Sequence, residues 1–328
     1  MSSLDLQVGQ FPKGRVIHGR AVHIHLPVSE RIYTARKLPQ AVVKVTSFGK
    51  GVKGVSKQLD YISRKGELPL EKDDGEVIKG REAQKELVGD WSMDFGGRKN
   101  SRDTAHIVFS MPPGSNQEAL RKAVHATGAK AFPNHEWVFA IHEDRKHPHA
   151  HMIVKMRGIE EDKKLQLKKA DLYKLRETFA ESAREQGVPL AASSRAARGV
   201  GHKGVRQAIY QMRHKGIQPE VDKQAKQELD RDLARGNRTF GQWEKSMLIR
   251  NELEKEAYRR DAEVLRLSAK YESKPMKHDE FLKDAQDLED FAKTLPKPWT
   301  RRQRWHLAAW RIKEEQQREN DRDQGMER

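Results

Sequence analysis

The period of the apolar positions changes along the chain, and those changes mark the elements. Residues 41–48, AVVKVTSF, are a short β-branched run and predict a strand. Val55, Leu59 and Ile62 recur at helical spacing and predict a helix ended by Gly66, with Arg64 and Lys65 in its last turn. The polar stretch 67–103 holds one further predicted helix, at 81–91. A strand is expected over 105–114, AHIVFSMPPG, stopped by two prolines. A helix follows over 116–130, capped by Asn116 or Ser115, lined by Leu120, Ala123 and Val124, and stopped at Gly128. Trp137 to Ile141 and Met152 to Val154 are apolar flanks around a polar, proline-closed centre, which predicts a β-hairpin. Leu172, Leu175, Phe179 and Ala183 give a clear amphipathic helix over 168–187, stopped by Gly187. This order implies an α+β fold, an antiparallel sheet with flanking helices.

The two ends read differently. Glycines and prolines scattered through 1–40 suggest a loosely ordered arm. From about 219 the chain is helical in pattern but heavily charged. Thr239-x-x-Gln242 and Thr300-x-x-Gln303 each match a capping box, the first opening a long helix to about 272. The expected organisation is therefore an arm over 1–40, an α+β domain over 41–217 and a charged helical region over 218–328.

Composition adds the partner. Lys plus Arg number 64 against 48 Asp plus Glu, a net charge of +16 with pI near 9.8. That balance points to a polyanion, nucleic acid before a membrane surface. There is no cysteine, which removes disulfides, thiolate metal sites and cysteine nucleophiles. No apolar run reaches membrane-spanning length and the start lacks a secretory pattern. The loop GKGVKG, with Lys53, suits a phosphate backbone, and so do the spaced cations of 188–216.

The chemistry is concentrated in the hairpin. Its segment 142–151 carries His142, Asp144, His147, His149 and His151. Alternation puts His149 and His151 on one face, and His142 ends the facing strand. Three imidazoles converging on a sheet face suit a divalent metal with open positions for substrate oxygens. His23-Ile24-His25 has the same spacing but no third histidine at hairpin distance. Neutral ligands leave the ion's charge to act on an anionic oxygen such as a DNA phosphate. With no cysteine available and no serine elbow, a helix tyrosine is a sensible nucleophile, and Tyr61 stands beside the 55/59/62 stripe.

Three segments resemble motifs of conjugative relaxases, the His-hydrophobe-His endonucleases that nick plasmid DNA at a transfer origin. QLDYISRKGEL is similar to the first motif, AHIVFSMPPGSN to the His-x-x-x-Ser-x-Pro segment, and HEDRKHPHAHMIV to the third motif. They occur in family order. The resemblance is to the P-type mobilisation (MOBP) relaxases, in particular those that cut T-DNA borders, and spans about 41–215. Met111 departs from the pattern where an aromatic is expected.

The resemblance implies that Tyr61 attacks the scissile phosphate and stays on the DNA 5′ end. It implies that His142, His149 and His151 hold Mg²⁺ or Mn²⁺. Asp144 or His147 would orient a ligand histidine, or His147 would replace His142 as third ligand. The proton acceptor stays open among Asp60, Asp144 and water. Lys53, Arg64, Lys65, Arg195 and Arg198 would contact DNA, and His106 and Ser110 would contact backbone phosphate or brace the sheet. Implied partners are single-stranded plasmid DNA at the origin, relaxosome accessory proteins and a type IV secretion coupling protein. The implied location is the bacterial cytoplasm, with transfer to a recipient as a DNA adduct. Rolling-circle replication initiators and single-strand transposases share this chemistry but usually place the tyrosine after the histidines. A non-catalytic DNA-binding protein is the rival of another class.

Overall fold

The computed structural model describes residues 16–17, 20–21, 26–96, 101–144, 146–160, 164–200, 205–235, 242–298, 304–305 and 307–309. The elements run β1 (Val16–Ile17), β2 (Arg20–Ala21), α1 (Val28–Ala35), β3 (Val42–Gly49), α2 (Gly51–Ile62), β4 (Leu70–Lys72), β5 (Val77–Ile78), α3 (Gly80–Ser92) and β6 (Thr104–Ser110). There follow α4 (Gln117–Ala131), β7 (Trp137–His142), β8 (His149–Lys155), α5 (Lys169–Glu185), α6 (Gln207–His214), α7 (Glu220–Ala234), α8 (Gln242–Tyr271) and α9 (Pro275–Thr294). They cluster into two compact units, Arg36–Ser193 and Met1–Ala35 with Ser194–Arg328.

The first unit is α+β. Its six strands lie in the order β3-β6-β8-β7-β4-β5, and each neighbouring pair is antiparallel. Alternation along the strands sends side chains to two cores. Ile107, Phe109, Trp137, Phe139, Met152 and Val154 meet Leu120 and Val124 of α4 and Leu175 and Phe179 of α5. Val138, Ala140 and Ile153 meet Val55, Leu59 and Ile62 of α2 and Leu87 and Trp91 of α3. Each fully buried side chain of this size contributes about 1.5–3 kcal/mol, so both faces are firmly held. The departure Met111 is 1% exposed and packs in the first of these cores.

Several local expectations stand. The Asn116 side chain caps α4 by accepting from Glu118 N at 2.7 Å and Ala119 N at 3.4 Å. Gly187, just past α5, takes φ +78°, a left-handed stop. Others change. Gly128 does not end α4, which runs to Ala131; it lies against Trp137, whose ring leaves no room for a Cβ. GKGVKG is the opening of α2 rather than a loop. Its start is capped from a distance, because Gly51 N donates to Asp103 Oδ2 at 2.7 Å. The β4–β5 hairpin inside the polar stretch was not expected. It extends the sheet beyond β7, although its strands are only three and two residues long.

The second unit is helical. Ile32 of α1 packs with Tyr258, Ala262 and Leu265 of α8 and Ala285, Leu288 and Ala292 of α9. Arg31 is 2% exposed, and its Nε donates to Asp261 Oδ2 at 2.8 Å. Residues 28–35 are therefore a packed helix, not part of a loose arm, because the α8–α9 pair offers them an apolar face and a buried counter-ion. The α+β unit also closes at Ser193, before the boundary of 217 expected from charge. Past it, the turn after Ser194 packs into the helical unit, where Tyr258 Oη donates to Ala197 O at 3.0 Å. The capping box at 300–303 and the pair His23 and His25 lie outside the described residues. Among the described residues, no helix is long and apolar enough to cross a membrane.

Candidate active site

The hairpin β7–β8 forms as its pattern predicts, and its register sets the site. His142 pairs directly with His149, and Ala140 pairs with His151. His142, His149 and His151 therefore share the α2 face of the sheet. Each offers a ring nitrogen, and these atoms all lie within 4.8 Å of one another. All three rings are largely shielded, at 4%, 9% and 5% exposure.

Hydrogen bonds decide which nitrogen each ring leaves over. His142 Nε2 donates to the Ile62 carbonyl at 2.7 Å, leaving Nδ1. His149 Nδ1 donates to the His147 carbonyl at 3.0 Å, leaving Nε2. His151 Nδ1 lies 2.8 Å from His106 Nε2, which also leaves Nε2. For His151 Nε2 to present a lone pair, Nδ1 must carry the proton and donate to His106. His106 then keeps its own proton on Nδ1. Burial first, then the neighbouring His142, lowers the His106 pKa to about 4. Burial, then His142 and His106, lowers His151 to about 3, and burial lowers His142. His106, His142 and His151 are thus held toward the neutral form, the state in which imidazole binds a metal.

Tyr61 comes to this cluster from α2. Its ring centroid is 5.4 Å from that of His151, 5.8 Å from His106 and 6.3 Å from His142. The helix places it there because Val55, Leu59 and Ile62 are buried on the sheet, which turns Tyr61 to the rim at 58% exposure. Its position is tied to the histidines by the bond from His142 to the next residue, Ile62. After α2 the chain turns through left-handed Arg64 (φ 51°), Lys65 (φ 59°) and Gly66 (φ 94°). Arg64 Nη2 then pairs with Asp144 Oδ2 at 2.8 Å, so the turn after α2 meets the hairpin's turn.

The other expected residues divide clearly. His147 is exposed and reaches the cluster through its carbonyl; its imidazole is not among the three rings that converge. Asp144 is engaged by Arg64, which holds its carboxyl below the usual range. His106 is 5% exposed and bonded to His151, a place for an orienting partner rather than a DNA contact. Among the described residues, the contacts of Ser110 Oγ are long, 3.4 Å to Pro148 O and 3.5 Å to Met111 O. Lys53 and Lys65 are exposed, the first in the opening turn of α2. Asp60 is exposed as well. Arg195 and Arg198 belong to the helical unit, where Arg198 Nε donates to Ser194 O at 3.3 Å. Sequence reasoning missed the His106–His151 bond and the Ile62 carbonyl. Strand alternation across β6 and β8 carried a signal for the first; the second is a backbone atom and left none.

Residues 64–188 match the family model described as "Relaxase: MobA/VirD2-like, nuclease domain". Tyr61 lies three residues before that match. The T-DNA border endonuclease VirD2 of Rhizobium radiobacter is 27% identical over 188 residues, covering 51% of this chain and 44% of that protein. The protein of that name from Agrobacterium fabrum is 28% identical over 193 residues, covering 52% of this chain and 43% of its own length. The chain thus spans less than half the length of these curated relatives. A solved structure described as "Molecular Basis of Vancomycin Resistance Transfer in Staphylococcus aureus" aligns with TM-score 0.34 and 14% identity, over 47% of this chain and 99% of that one. The α+β unit is therefore similar to a relaxase nuclease domain, and the chain resembles the T-DNA border endonucleases.

Proposed function

We propose that this relaxase-type nuclease nicks one strand of plasmid DNA at a transfer origin through attack by Tyr61, initiating conjugative transfer. The observation that carries this reading is the exposed Tyr61 ring standing 5.4 Å from His151, at the rim of three converging imidazoles.

The donor set fits a divalent metal. Nδ1 of His142 and Nε2 of His149 and His151 remain after each ring's other nitrogen is taken by a hydrogen bond. These nitrogens would hold Mg²⁺ or Mn²⁺. Bound there, the ion supplies positive charge beside the phosphate oxygens. The protein's own residues do the rest. His106 keeps the His151 proton on Nδ1. The Ile62 carbonyl fixes the His142 ring. Arg64, exposed at the rim, offers a guanidinium to the incoming phosphate.

In the reaction the Tyr61 Oη–phosphorus bond forms and the bond from phosphorus to the 3′ oxygen breaks. The departing electron pair stays on the 3′ oxygen, which takes up a proton as a free 3′-OH. The phenol proton passes to water or to one of the exposed carboxylates, Asp60 or Asp144. The product is a 5′-phosphotyrosyl adduct, which keeps the phosphoester energy for re-joining. Lys53 and Lys65, with Arg195 and Arg198, supply backbone neutralisation. Relaxosome proteins and a type IV secretion coupling protein are the partners this role requires, and the cytoplasm of the donor cell is its place.

The test uses supercoiled plasmid carrying the cognate origin, with Mg²⁺ or Mn²⁺. The expected result is a nick and a DNA band that stays on the protein after denaturation. Tyr61→Phe should lose the adduct; an unchanged adduct rejects Tyr61 and favours a non-catalytic DNA-binding role.

A further inference from the structure

The chain contains no acidic residue from Gln186 to Pro219, yet carries Arg195, Arg198, Lys203, Arg206, Arg213 and Lys215 there. Inside this stretch α6 stands apart from the other helices of its unit. It has no buried residue. The exposed sides of α7, α8 and α9 mix Glu and Asp with Lys and Arg, as a solvated face does; α6 has no carboxylate at all.

At about 100° per residue, Gln207, Tyr210, Gln211 and His214 fall on one side of α6. All four are exposed, Tyr210 at 53%. Ile209, Met212 and Arg213 fall on the opposite side and are half-buried, with Arg213 held by Asp222 through bonds of 2.9 and 2.8 Å. The helix therefore has a settled inner side and an outer side made of hydrogen-bonding groups with no carboxylate. Tyr210 and His214 lie together there, with ring centroids 6.2 Å apart. Exposed Arg206 and Lys215 flank that side at the two ends.

From this juxtaposition we propose that α6 is a duplex-DNA reading helix, docking its Gln207–Tyr210–Gln211–His214 side in a major groove. An eight-residue helix is about 12 Å long, matching a groove about 12 Å wide. Glutamine amides pair in bidentate fashion with adenine edges, and the terminal cations meet the phosphates on either side. A single strand presents no such groove. The assignment adds a duplex contact to the proposed single-strand chemistry and does not depend on Tyr61.

The experiment uses the full chain with a chelator present, so that binding is read without cleavage. The probes are a pool of random-sequence duplexes about 20 base pairs long and a single strand of equal length. Arg206→Ala/Lys215→Ala should weaken duplex binding and reduce the slope of log K against log salt by about 1.8. Gln207→Ala/Gln211→Ala should keep affinity for the random pool but lose about tenfold or more on the duplexes that the parent chain enriches. Unchanged duplex binding in both variants overturns the assignment and leaves this side to a protein partner. An equal loss on the single strand overturns it too. A chain that fails to nick yet keeps its duplex preference rejects the Tyr61 reading and leaves this one standing.

Discussion

His142 Nε2 donates to the carbonyl of Ile62 across 2.7 Å, joining residues eighty positions apart. One belongs to the histidine cluster, and the other follows Tyr61 in the chain. The bond holds the end of the helix that carries Tyr61 to the strand that presents the imidazoles. His142→Ala removes a ring from the cluster and strands a buried carbonyl. The expected outcome is a loss of about 1–3 kcal/mol of stability together with weaker Mn²⁺ binding. Urea unfolding and calorimetric Mn²⁺ titration read the two effects separately. Unchanged Mn²⁺ affinity would remove His142 from the ligand set.

His106 acts on His151 through a single bond of 2.8 Å. Replacing it with Ala should leave the three converging rings in place but free His151 to take the wrong tautomer. Mn²⁺ affinity should fall by about 10–100-fold. His106→Gln, which keeps an acceptor, should recover part of that loss. Equal affinities for all three proteins would show that His106 only fills space.

Lys155 provides a pH test away from the histidines. Its ammonium is 8% exposed and bonds Glu136 at 2.5 Å and Asp94 at 2.6 Å. Burial alone would lower its pKa, but the two carboxylates outweigh burial and raise it above 10.5. A raised lysine pKa means the folded state holds its proton more tightly. Its stabilisation is complete below pH 10.5 and is lost as pH rises through the folded value. Urea midpoints measured from pH 9 upward should fall less steeply in Lys155→Met than in the parent chain. Parallel pH curves would show that the pair contributes nothing to the alkaline limb.

Gly128 is a packing residue. A Cβ there would stand 2.6 Å from Trp137 Cζ2. Gly128→Ala improves helix propensity but overfills the α4–sheet contact. A net loss of about 1–3 kcal/mol is expected, seen as a lower Tm. A rise in Tm would mean that Trp137 moves aside freely.

Short-range patterns were legible in the chain. The hairpin, the apolar stripes of the helices and the Asn116 cap depend on residues a few positions apart and formed as read, but α2 ends at Ile62, before the left-handed Arg64 and Lys65 that were expected in its last turn. Gly128 and GKGVKG were misread for one shared reason. The ring that needs the glycine and the carboxylate that caps α2 are supplied by other strands, Trp137 from β7 and Asp103 from just before β6. Likewise α1 looked like a loose arm because its partners Asp261 and Tyr258 lie more than two hundred residues away.

For the candidate site, the sequence by itself determined the residue types and their faces. Strand alternation put His149 and His151 together, and the 55/59/62 stripe left Tyr61 at the edge of its helix. Tertiary structure decided everything that depends on a hydrogen bond between elements. It left His142 Nδ1 and His151 Nε2 open and made His106 a partner of His151, while the His149 bond to the His147 carbonyl is local to the hairpin turn. Periodicity fixes a side chain's direction from its own backbone. Which atom of that side chain is left over is set by neighbours that only the closed sheet and its packed helix bring within reach.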